Sequence, residues 1–136
     1  MSDESASRPG KKILVVDDDK VILSTLARNL KETGYQVVTA LDGAQAVAAA
    51  RKENPDLILL DIAFPPAVDG VVWDGFRIMD WFHRLDSANK IPIIVITGSV
   101  EVKDQERATR GGAVGYFRKP FDLDDMLTVI RSVLGS

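Results

Sequence analysis

Three stretches of the chain, Ile13-Leu14-Val15-Val16, Leu57-Ile58-Leu59-Leu60 and Ile93-Ile94-Val95-Ile96, are apolar at every position and each stops on a polar residue. A strand with one wet face alternates apolar and polar side chains, so a run without alternation must be covered on both faces. The runs are too short for helices, and the segments between them carry apolar residues at helical spacing. Buried strands alternating with amphipathic helices imply βαβ units and a parallel sheet with helices on both sides.

The remaining elements follow from local signals. Residues 1 to 10 are polar, end in Pro9-Gly10, and read as a loose tail ahead of a domain covering 11 to 136. After Ile13–Val16 comes a helix with Ile22, Leu23, Leu26, Ala27 and Leu30 on one face, ended by Gly34. A second strand, Gln36 to Thr39, leads to Asp42 as N-cap and an alanine-rich helix through Lys52, closed by Asn54-Pro55. Leu57 to Leu60 should be a central strand. A long loop precedes a helix from about Gly75 to Leu85, then the strand Ile93 to Ile96. The fourth helix, roughly Val100 to Arg110, has few large apolar residues and should be the least firmly anchored. A short strand, Gly115 to Phe117, precedes a last helix capped by Asp122, with Leu123, Met126, Leu127, Ile130 and Leu134 in its stripe. The reading is five strands and five helices.

Composition removes several classes of function. The 136 residues make one domain of ordinary size, and 46% hydrophobic with 27% charged residues suits a globular core. Lys plus Arg number 17 against 20 Asp plus Glu, which disfavours direct nucleic-acid binding. With no cysteine there is neither disulfide framework nor thiolate chemistry. His83, beside Trp81 and Phe82, reads as an ordinary helix residue without a catalytic role. No apolar run is long enough to span a bilayer and no signal peptide is evident, so a cytoplasmic location is expected, without membrane insertion.

In an open parallel sheet, ligands bind outside the carboxyl ends of the strands. There this chain puts Asp17, Asp18 and Asp19 after the first strand, Asp61 after the third, Thr97 after the fourth and, two residues on, Lys119 after the fifth. Asp19 is accounted for as the cap of the first helix. The other carboxylates would repel one another by several kcal/mol unless a cation joined them. Oxygen donors without His or Cys favour a hard ion, Mg²⁺ ahead of Ca²⁺ or a transition metal such as Mn²⁺. Asp18 and Asp61 would be direct ligands, with Asp17 through water. A metal, the Thr97 hydroxyl and the Lys119 ammonium together suit an anion with three equatorial oxygens, and Asp61 is the candidate nucleophile for phosphoryl transfer.

The segments ILVVDDDK, LILLDIAFP, IIVITGS and GYFRKPF, in this order, resemble the motifs of two-component response regulator receiver domains, of which the chemotaxis receiver is the simplest. The resemblance covers residues 11 to 135. It implies a flavodoxin-like (βα)5 doubly wound sheet in the strand order 2-1-3-4-5. By resemblance Asp17 and Asp18 are the acidic pair, Asp61 the phosphoacceptor, Thr97 the switch hydroxyl, Tyr116 the switch aromatic, and Lys119 the phosphoryl-binding lysine. The backbone carbonyl of Ala63 would complete the metal site, and the peptide between Lys119 and Pro120 would be cis. The implied donors are a sensor histidine kinase or a histidine phosphotransfer protein. The implied output is to a downstream effector through the face of the fourth helix, fifth strand and fifth helix, where a homodimer is also plausible.

The chain departs from the family pattern in one place. IAFPPAVDGVVWDGF, from Ile62 to Phe76, is longer than the usual loop, and of its two Asp-Gly pairs Asp74-Gly75 puts Phe76, Met79 and Phe82 in helical register. Phe64, Val68, Val71, Val72 and Trp73 are too apolar for an idle loop; they either pack over the site or contact a partner, or fold onto their own helix. Small residues at Ala63 and Ser99 leave little to orient an attacking water. Two rivals remain: a receiver-like module that only binds protein, and an aspartate-nucleophile phosphatase. The phosphatase would need a second Asp where Ala63 stands, so the chain is expected to be a phosphoacceptor that assists its own modification, not an enzyme.

Overall fold

A computed structural model describes residues 10–62, 75–85, 91–98 and 101–135. The strands are β1 (Lys12–Val16), β2 (Gln36–Ala40), β3 (Leu57–Asp61), β4 (Ile93–Thr97) and β5 (Gly115–Arg118). The helices are α1 (Lys20–Thr33), α2 (Gly43–Glu53), α3 (Gly75–Leu85), α4 (Val102–Arg110) and α5 (Leu123–Leu134). All five strands pair in parallel in the order β2-β1-β3-β4-β5, the flavodoxin-like arrangement.

Burial explains the apolar runs. Every residue of β3 and of β4 is buried, because both strands lie inside the sheet with helices over each face, whereas β2 and β5 at the edges are partly exposed. Side chains alternate between two cores. Leu14, Val16, Ile58, Leu60, Ile93 and Val95 face α2, α3 and α4; Ile13, Val15, Leu57, Leu59, Ile94 and Ile96 face α1 and α5.

Short polar side chains fix the helix starts. Asp19 accepts from the amides of Val21 and Ile22, Asp42 from Gln45, and Asp122 from Asp124 and Asp125. Gln45 reaches back past the Asp42 cap, its Oε1 accepting from the amide of Leu41, the residue before it, at 2.9 Å. Gly34 ends α1 at φ 110°, a conformation closed to most side chains, and its amide reaches the Leu30 and Lys31 carbonyls.

Several boundaries differ from the sequence reading: β1 begins at Lys12, β2 ends at Ala40, α2 at Glu53 and β5 at Arg118, each one residue beyond the expected bound. β3 and β4 each run one residue further, so that Asp61 and Thr97 are the last residues of their strands; Asp61 pairs with Ile96 and Thr97 with Arg118. The ladder needs only backbone groups, so a polar side chain does not end it. Helix α4 begins at Val102. Of α4, only Ala108 is buried, which makes it the thinly anchored helix its composition indicated. Helix α3 starts at Gly75 and buries Ile78, Met79 and Phe82, in keeping with the second Asp-Gly pair. The segment from Ala63 to Asp74, including Phe64, Val68, Val71, Val72 and Trp73, lies outside the described residues, as does Ser99.

Candidate functional site

The order of connections reverses between β1 and β3, opening a crevice at their carboxyl ends. Asp17 follows β1 and is fully buried; its amide donates to the Ala40 carbonyl at 3.1 Å, and its Oδ1 accepts from the Asp19 amide at 2.9 Å. Asp18, next along the chain, is exposed. Asp61, at the end of β3, is 2% exposed. Carboxylate oxygens of Asp17, Asp18 and Asp61 lie within 4.8 Å of one another, the separation of ligands around one ion.

Lys119 comes to these acids from the far edge of the sheet. Its amide donates to the Thr97 carbonyl at 2.7 Å, and the Lys119–Pro120 peptide is cis. From there Nζ lies 2.8 Å from Asp17 Oδ2 and donates to Asp61 Oδ2 at 3.1 Å. The Asp17 contact sets the ammonium against a carboxylate with no exposure of its own. Burial alone would lower the Lys119 pKa, but the two carboxylates outweigh it and the group is held above its usual value. Counting Asp17, Asp18 and Asp61 against Lys119, the cluster carries two more negative than positive charges. An all-oxygen donor set with this excess of negative charge fits a hard divalent cation.

Thr97 is fully buried at the end of β4, next to the lysine-bearing loop. Tyr116 stands apart from the acids, on β5, packed against the core between sheet, α3 and α4. Its hydroxyl is buried without a hydrogen-bond partner among the described residues, and burial raises its pKa, with Asp104 adding to the rise and Arg118 opposing it. His83 lies in the last turn of α3 with its ring against Gly112, which precedes β5, so it is at the opposite edge of the sheet from the acids. Sequence reasoning passed over the Asp19 backbone. Its cap role was legible, but its amide also orients Asp17, and the only signal is the two-residue spacing at which an Asp side chain takes a backbone N–H.

Residues 13–131 match the family model for the response regulator receiver domain. The chain belongs to that family. This receiver is 34% identical over 123 residues to the "DNA-binding dual master transcriptional regulator RpaA" of Synechocystis sp., covering 90% of this chain and 48% of that protein. It is 29% identical over 125 residues to the "Polar-differentiation response regulator DivK" of Brucella anthropi, covering 92% of this chain and 97% of DivK. The crystal structure of a CheY-like receiver domain protein from Methanospirillum hungatei superposes with a TM-score of 0.81 at 29% identity, covering 93% of this chain and 94% of that one. The receiver thus spans about half the length of RpaA and nearly all of DivK. No helix among the described residues is long and apolar enough to cross a membrane.

Proposed function

We propose that this receiver takes a phosphoryl group on Asp61 from a phosphohistidine of a sensor histidine kinase or a histidine phosphotransfer protein. The observation that carries the reading is one buried carboxylate at a strand end, Asp61, with two further carboxylates within 4.8 Å and an ammonium at 3.1 Å. An oxygen of Asp61 attacks phosphorus in line with the departing imidazole nitrogen. A P–O bond forms as the P–N bond breaks, the nitrogen keeps the electron pair and takes up a proton, and Asp61 becomes an acyl phosphate.

Lys119, already in contact with Asp61, stays close enough to the transferred oxygens to offset their charge. Asp17, Asp18 and Asp61 would hold a divalent ion, with the carbonyl of Ala63, which lies outside the described residues, as the further ligand that the family resemblance implies. Mg²⁺, or Mn²⁺ in its place, would neutralise charge developing on the phosphoryl oxygens when bound. Thr97 donates its hydroxyl to the modified side chain, and Tyr116, whose hydroxyl has no hydrogen-bond partner among the described residues, adjusts with it. The change is passed through the face of α4, β5 and α5 to a downstream effector protein or domain.

Intact mass after incubation with acetyl phosphate tests this. The expected result is one added phosphoryl group on the wild type that requires Mg²⁺ and is absent in Asp61→Asn. No adduct, together with no binding of beryllofluoride, would leave a module that only binds protein.

A further inference from the structure

Of the helices, α4 has the least to hold it, since it offers the core only Ala108. Helix α3, by contrast, is fixed by buried Ile78, Met79 and Phe82. Towards α4 it presents Phe76, Met79 and His83, spaced three and four apart and so on one face. Each meets α4 or the turn that ends it. The Arg107 guanidinium carbon stands 4.1 Å from the centroid of the Phe76 ring. The Met79 methyl fills the space left by the missing side chain of Gly111, where a Cβ would come within 2.5 Å of it. The His83 ring covers Gly112, which at φ +97° and under that ring has no room for a side chain.

Two of these contacts put a side chain on bare glycine backbone; only the third joins side chain to side chain. Arg107 is exposed and Phe76 half-buried, so the pair is not a piece of core that collapses regardless of geometry. At 4.1 Å the guanidinium is well inside the range of a cation–π contact, and its planar shape lets it lie on the ring. We infer that Arg107 is a latch: stacked on Phe76, it holds α4 against α3 and sets how readily α4 leaves its seat. The latch acts on whatever moves α4 and does not depend on the chemistry assigned to Asp61.

Hydrogen exchange of the full chain, read at α4 amides, tests it through a double-mutant cycle. Arg107→Gln keeps the stem without the charge, and Phe76→Leu keeps an apolar body without the ring face. Each should speed α4 exchange by about two- to fivefold, the range of an exposed cation–π contact. The double variant should be no faster than the faster single one, Phe76→Tyr should stay at the wild-type rate, and β3 and β4 amides should not change in Arg107→Gln. Effects that multiply in the double variant, or an α4 rate untouched by Arg107→Gln, would overturn the latch. If Phe76→Leu loosens the sheet as well, the exposed Arg107 site decides alone.

Discussion

Replacing Lys119 by Met keeps an unbranched side chain one atom shorter and removes the charge from between two buried acids. In the wild type Nζ is 2.8 Å from Asp17 and 3.1 Å from Asp61. At an effective dielectric constant of about 20 these contacts supply roughly 6 and 5 kcal/mol of gross attraction. Against them stands the cost of burying the ammonium, several kcal/mol for a group that is 20% exposed. The variant escapes that cost but leaves carboxylates within 4.8 Å of one another, repelling by roughly 3 to 4 kcal/mol per fully ionised pair on the same basis. The net loss should be about 3 to 5 kcal/mol, the usual result of removing one partner from a buried pair. Urea unfolding without divalent cations measures it, as a lower midpoint with an unchanged slope. Adding Mg²⁺ should restore more stability to Lys119→Met than it adds to the wild type, because the variant lacks the competing ammonium. A loss under about 1 kcal/mol would refute the reasoning, since it would mean that water and not Lys119 neutralises these acids.

Tyr116 should ionise late. Burial, reinforced by Asp104 and opposed by Arg118, raises its folded-state pKa, so its share of stability is complete below the ordinary tyrosine value near 10 and is lost as pH rises through the raised one. Tyrosinate absorbance of Tyr116→Phe should lack the high-pH part of the wild-type titration, and a high-pH part that survives the substitution would refute the assignment. Asp122→Ala removes the acceptor for two amides at the start of α5 and should cost about 1 kcal/mol, with Asp122→Ser retaining most of it, measured by thermal unfolding. Leu59→Ala, in a fully buried strand beneath α1 and α5, should cost about 2 to 5 kcal/mol by urea unfolding, and a loss below 1 would show that the site is wet.

Local chemistry carried most of this fold in the linear chain. The uniform apolarity of Leu57–Leu60 and Ile93–Ile96 is a direct imprint of burial on both faces, and Asp19, Asp42 and Asp122 mark helix starts because a short acceptor can satisfy free amides there. The acids and the lysine were legible as strand-end residues, since parallel winding brings every such end to one edge. Tertiary structure alone decided the contacts among them. That Lys119 bridges Asp17 and Asp61 depends on the pairing of β5 with β4, at whose end its amide is held on the Thr97 carbonyl. The same limit applies to Arg107 on Phe76 and to Met79 beside Gly111: a cation on a helix surface reads in sequence as a solvated charge, and only the approach of a second helix makes it a contact. Sequence alone specifies which residues must be buried, capped or turned, because those demands are local. Which polar groups meet is set by the register and packing of elements distant in the chain.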